Sequence, residues 1–93
     1  MESASWYLKA AKQGNALGQF YLGCAYADGK GVPKDAMEAY KWCNLSAASG
    51  TEGAATRRSD LEAKMTPDQI AEAQKRTKEL RALIDANINT GSK

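Results

Sequence analysis

Apolar residues recur along this chain at steps of three and four, the spacing that lines up side chains on one face of an α-helix. The longest run is Ile70, Ala73, Thr77, Leu80, Ile84 and Ile88, one continuous stripe that predicts a helix over residues 67–87. Thr66-Pro67-Asp68-Gln69 opens it, with Thr at the cap, Pro at the first helical position and Gln at the third. A wider face made by Phe20, Tyr21, Cys24 and Ala25, with Leu17 and Ala27 at its margins, predicts a helix over 16–28. Asp35 with Glu38 three residues on is a capping signal for a helix reaching Ser49. Gly14-Asn15 closes a first helix over 3–13, and Gly50 closes the third. Ala54, Ala55, Leu61 and Met65 mark a fourth over 52–64. Between the second and third helices, Gly29-Lys30-Gly31-Val32-Pro33 makes a turn, since glycine reaches backbone angles that other residues avoid and Pro33 cannot continue a helix. The expectation is an all-α chain of about five helices with a frayed tail at 89–93.

Sliding the sequence against itself shows a repeat at an offset of 36. Trp6 falls on Trp42, Ala11 on Ala47, Gly14 on Gly50, and Gly18 on Ala54, while Ala10 meets the similar Ser46. A period in this range, with no proline inside the helical stretches, points to a repeated two-helix unit.

The residues from Ala16 to Gly50 then resemble the Sel-one-like repeat, a relative of the tetratricopeptide repeat. The likeness rests on Leu22-Gly23, Tyr26, Gly29-x-Gly31-Val32, Asp35, Ala39, Trp42, Ala47 and Gly50. Trp6 to Gly14 resembles the second helix of a preceding repeat, so residues 1–14 form a truncated unit and 15–50 a complete one. Residues 51–88, with Arg58, Leu61 and Met65-Thr66-Pro67, resemble a degenerate final repeat, although Ser59 stands where an Asp is expected. The resemblance implies a single domain of antiparallel helix pairs stacked into an α/α superhelix (solenoid) with a concave binding surface. It also implies an adaptor or scaffold that binds other proteins without catalysis. A regulatory or enzyme-associated fragment of a larger protein is the alternative.

Charge and composition narrow the function classes. Five bases face four acids in residues 1–50, and eight face seven in 51–93, so no half of the chain is the basic surface that nucleic acids require. Lys75, Arg76, Lys78 and Arg81 are interleaved with Glu72, Glu79 and Asp85, the pattern of a solvated helix face. No apolar run is long enough to span a membrane and no basic signal-peptide head opens the chain, so the expected place is the cytoplasm, given Met1 as the natural start. The chain has no histidine, which removes the commonest general base and metal ligand. Asp28 and Asp35 flank the turn, but caps and turn bonds account for both. Gly29-x-Gly31 lacks a third glycine and a preceding strand, so no nucleotide or other cofactor is expected. Asn44-Leu45-Ser46 is a formal glycosylation triplet inside a predicted helix. In an antiparallel hairpin about Gly31, Phe20 faces Cys43 and Cys24 faces Ala39. The sulfurs are then offset by one helical turn, roughly 6 Å, and stay as free thiols.

Two sets of contact residues follow. The first helix of each unit lines the concave face of such a solenoid, which nominates Gln19, Tyr21, Asp28, Arg57 and Arg58 for a protein partner. The terminal helices nominate Trp6 and Tyr7 at one end and Leu80, Leu83, Ile84 and Ile88 at the other. These serve either for self-association or, in the last helix, as a cap folded over the final hairpin.

Overall fold

A computed structural model describes residues 2–91, with side chains over 5–86. Its five helices are α1 (Glu2–Lys12), α2 (Ala16–Asp28), α3 (Ala36–Ala48), α4 (Ala54–Glu62) and α5 (Pro67–Gly91). The chain is an all-α, tetratricopeptide-like solenoid, and no strand occurs among the described residues.

Local chemistry sets the helix ends. The Asn15 side chain accepts from the Gly18 amide at 2.7 Å and starts α2. Gly29, at φ 72°, ends α2 in the left-handed region, where the Lys30 amide reaches back to the Ala25 carbonyl at 2.9 Å. Asp35 Oδ1 accepts from the Met37 and Glu38 amides at 3.0 and 3.1 Å, while the Glu38 carboxylate turns away to Lys41. At α5 the capping box is reciprocal: the Gln69 amide donates to Thr66 Oγ1 at 3.1 Å, and the Thr66 amide donates to Gln69 Oε1 at 2.9 Å.

The offset of 36 is reproduced bond for bond. Gly14 and Gly50 both sit at positive φ, 88° and 86°. Their amides donate to the Ala11 and Ala47 carbonyls at 3.0 and 2.9 Å, and the amides that follow, Asn15 and Thr51, donate to the Ala10 and Ser46 carbonyls at 3.0 and 3.1 Å. The environment is not repeated with the same fidelity. Trp42 is 2% exposed, whereas its counterpart Trp6 is 71% exposed, because helices pack over α3 and leave the Trp6 side of α1 bare.

Helix α3 is the centre of the packing, in contact with α2, α4 and α5. One core cluster joins Ala39, Tyr40, Cys43, Leu61, Met65 and Ala73, and a second joins Ala11, Leu22, Trp42, Leu45 and Ile84. Small residues allow the close crossings. A methyl group added at Gly18 would stand 2.8 Å from Ala10 Cβ, and one at Gly23 would stand 2.7 Å from Cys43 Sγ. Gly23 therefore lies against Cys43, and both cysteines are free thiols. Buried Ser46 donates to the Ala16 carbonyl at 2.7 Å and ties α3 to the start of α2.

Two elements differ in length from the sequence reading. Helix α4 starts two residues later than expected because Gly53, at φ 88°, is outside helical geometry. Helix α5 continues past residue 87 through the expected tail to Gly91, while residues 92 and 93 lie outside the described residues. Tyr40 meets Gln74 and Leu45 clusters with Ile84, so α5 runs parallel to α3. Its backbone extends about 10 Å beyond Ile84. Among the described residues, no helix is long and apolar enough to cross a membrane.

Candidate protein-binding surfaces

Leu17, Tyr21, Cys24 and Asp28 follow one another on α2 at steps of four, three and four, so they form a single stripe. Its first half is apolar and open: Leu17 and Tyr21 are both exposed, Tyr21 by 45%. Tyr7 from α1 extends the stripe sideways, with its ring centroid 5.2 Å from that of Tyr21 and the planes tilted by 36°. On the other side the Phe20 ring lies 5.7 Å from Tyr21 and reaches toward Gly53 at the start of α4. Three aromatic rings thus run across the α1, α2 and α4 edge in tilted contact, an arrangement that their quadrupoles favour.

The second half of the stripe is polar. Arg57 Nη2 on α4 donates to Asp28 Oδ2 at 3.1 Å. The neighbouring Cys24 thiol, ahead of the Asp28 charge, pushes the Arg57 pKa further up. The Arg57–Asp28 pair is substantially exposed, so it orients the two side chains more than it stabilises the fold. Beside it is a cleft of about 110 Å³ lined by Ala27, Asp28, Lys34, Arg57, Asp60 and Leu61 among others.

Of the five residues nominated for the concave face, Tyr21, Asp28 and Arg57 come together here. Gln19 does not line an open face. It is 4% exposed, and its Nε2 donates to the Ala11 carbonyl at 3.2 Å, which binds the end of α1 to α2. Arg58 points to the opposite side of α4, where its Nη1 donates to Asn44 Oδ1 at 2.8 Å. Neighbours on a helix diverge by about 100°, so Arg57 and Arg58 could not share one surface.

The terminal set divides as well. Trp6 is exposed and Tyr7 half-buried in the aromatic edge. Ile84 is not an overhanging contact: it is 6% exposed and packs with Leu22, Trp42 and Leu45, and half-buried Leu80 lies against the same cluster. Leu83, one position away, faces outward at 68% exposure. The Ile88 side chain lies outside the described residues. Helix α5 docks through the stripe read from the sequence, with Ala73, Thr77 and Ile84 buried beneath it.

A second surface was not nominated from the sequence. Between α3 and α5, closed at one end by α4, lies a cleft of about 440 Å³. Its floor is a hydrogen-bonded chain in which Gln74 Nε2 donates to the Tyr40 hydroxyl at 3.3 Å and that hydroxyl donates to Glu62 Oε2 at 2.8 Å. Burial, ahead of the Glu62 bond and charge, raises the Tyr40 pKa, so the phenol remains a donor. Arg58, Lys78 and Arg81 line the same cleft. The signal of Lys78 and Arg81 was present in the charge run of α5: with Gln74 and Asp85 they share one stripe, whereas Arg76 pairs with Glu72 at 3.1 Å on another. Among the described residues, no group of three His, Cys, Asp or Glu is arranged to hold a metal ion.

A family model described as the Sel1 repeat matches residues 2–15 and 16–51, and its two matches meet at the turn after Gly14. A search of curated proteins finds no match.

Proposed function

The chain belongs to the Sel1 repeat family, whose repeats generally mediate protein–protein interaction, and from that premise we propose that it works as a non-catalytic scaffold that binds a partner protein across the aromatic edge of α1, α2 and α4. In this reading residues 51–88 are the closing, diverged unit of the array, and α5 is its cap. The observation that carries the binding reading is the continuous contact of Tyr7, Tyr21 and Phe20 beside exposed Leu17, with the Asp28–Arg57 pair at the edge. Tyrosine is a favoured interface residue because it offers a large apolar area together with a polar tip, and it loses little conformational freedom on binding. Contiguous exposed apolar side chains rimmed by polar ones mark an interaction site.

The test is selection of a random-peptide display library on the immobilised chain, repeated on Leu17→Ser/Tyr21→Ser. Both side chains are exposed, so the variant keeps the fold. Enrichment on the parent that disappears on the variant supports the assignment. Equal enrichment on both would move binding off this edge, and none on the parent would remove the scaffold reading.

A further inference from the structure

The cleft between α3 and α5 carries chemistry that the aromatic edge lacks. Three cations, Arg58, Lys78 and Arg81, line it, and none of them has a carboxylate within ion-pair distance among the described residues. Among the described residues only Lys41, Arg57 and Arg76 hold an acid, at 2.8 to 3.1 Å, and what sets the cleft apart is that three cations without one line a single groove. The acid within the cleft, Glu62, is engaged by the Tyr40 hydroxyl. The result is a groove of net positive charge in a chain whose overall charge is only +2.

Beyond Arg81 the groove adjoins a smaller hollow of about 130 Å³, lined by Gln19, Leu45, Ala48, Arg81, Ile84 and Asp85 among others. Gln19 is almost wholly buried there. Its Nε2 is committed to the Ala11 carbonyl, and its Oε1 has no hydrogen-bond partner among the described residues. That oxygen has no exposed surface, so the hollow adds length to the groove rather than a contact, and length suits a chain-like ligand such as an extended peptide.

The dimensions fit the same ligand. Tyr40, Asn44 and Ala48 succeed one another along α3 over about 12 Å, and Gln74, Lys78, Arg81 and Asp85 along α5 over about 16 Å. An extended chain at roughly 3.3 Å per residue crosses that distance in four or five residues. Leu45 and Ala48 supply an apolar wall between the charged groups.

We propose that this cleft binds an extended acidic peptide segment of a partner protein. Its carboxylates meet Arg58, Lys78 and Arg81 along the groove. The proposal rests on the protein-binding reading and adds to it a second surface with its own specificity.

The experiment is fluorescence anisotropy with two dye-labelled peptides of one length: a glutamate-rich sequence and its twin with glutamine at every glutamate. Each is titrated with the parent chain, with Lys78→Glu/Arg81→Glu and with Leu17→Ser/Tyr21→Ser. Lys78 and Arg81 are exposed, so charge reversal leaves the core intact, and a thermal melt verifies this. The expected result is that the parent binds the acidic peptide at least about tenfold tighter than its twin, a difference of about 1.4 kcal/mol. Binding weakens as salt rises, is lost in the charge-reversed variant and persists in the Leu17/Tyr21 variant. Equal affinity for both peptides, or undiminished binding to the reversed variant, overturns the proposal. So does displacement of the peptide by inorganic phosphate at equal ionic strength. Failure of the acidic peptide while library peptides still enrich on the aromatic edge removes only the cleft assignment; failure of both removes the scaffold reading too.

Discussion

Replacing Gly23 by alanine tests the packing at the centre of the molecule, because two opposing effects of known size meet there. In an unobstructed helix interior the change stabilises by about 1 kcal/mol, since glycine loses more backbone freedom on folding. At Gly23, however, the new methyl group would stand 2.7 Å from Cys43 Sγ and 3.2 Å from both the Ala39 carbonyl oxygen and the Cys43 amide nitrogen. Two of these three atoms belong to the α3 backbone, and the third to a side chain with no exposed surface, so relief requires α2 and α3 to separate. Overpacking of this kind costs typically 1–3 kcal/mol, and the outcome after the propensity gain is a net destabilisation of about 0–2 kcal/mol. For a domain of this size that lowers the melting temperature by up to roughly 16 °C.

Urea unfolding followed by far-ultraviolet circular dichroism measures the change, and a double-mutant cycle assigns it. In a Cys43→Ala background the sulfur is gone while the backbone contacts remain, so Gly23→Ala costs less there by about 0.5–1 kcal/mol. Gly50→Ala is the control. It sits at φ 86° with nothing within 4 Å of the added methyl, so its cost is purely that of a left-handed backbone. That cost is about 1–2 kcal/mol and is the same with or without Cys43. A stabilising Gly23→Ala, or a Gly23→Ala cost independent of residue 43, would refute the proposed crossing.

Adjacent residues of α5 give a sharper contrast. Ile84→Glu places a carboxylate among Leu22, Trp42 and Leu45 and lowers stability by more than about 3 kcal/mol, whereas outward-facing Leu83→Glu changes it by less than about 0.5 kcal/mol. Thermal melts read both effects, and equal losses would contradict the docked orientation. Light scattering on Leu83→Glu reads the other role of α5, because a lower mass at unchanged stability identifies its outer face as a self-association surface. Ser46→Ala removes the buried bond to the Ala16 carbonyl and costs about 1 kcal/mol in the same melts, and a neutral result would mean that the bond contributes nothing net. Alkaline stability has a definite sign. Burial pushes the Cys43 thiol from 9.0 up to about 12 and raises Tyr26 and Tyr40 above 10.0, so the unfolded chain releases these protons first. Stability is therefore full below about pH 9 and falls as pH rises toward 12. Cys43→Ala flattens the onset of that fall, and an unchanged onset would exclude the thiol as its source.

The helix boundaries and the repeat were legible in the sequence because their causes are local. Asn15, Asp35 and the Thr66–Gln69 pair satisfy amides two or three residues away, and Gly14, Gly29 and Gly50 stop helices through their own backbone freedom. The stripe from Ile70 to Ile84 identified the buried face of α5 for a similar reason: it is a property of one helix and its period. What the sequence did not determine is which neighbour each face meets. Two residues on one helix diverge by about 100° per step, and only the approach of another element decides which of them is covered. That is why Gln19 is buried rather than offered to a partner, and why Arg57 joins Asp28 while Arg58 crosses to Asn44. It is also why Trp6 and Trp42, identical in the repeat, have opposite exposures. The cleft of Tyr40, Arg58, Lys78 and Arg81 draws on three helices and exists only once α4 and α5 have both closed on α3.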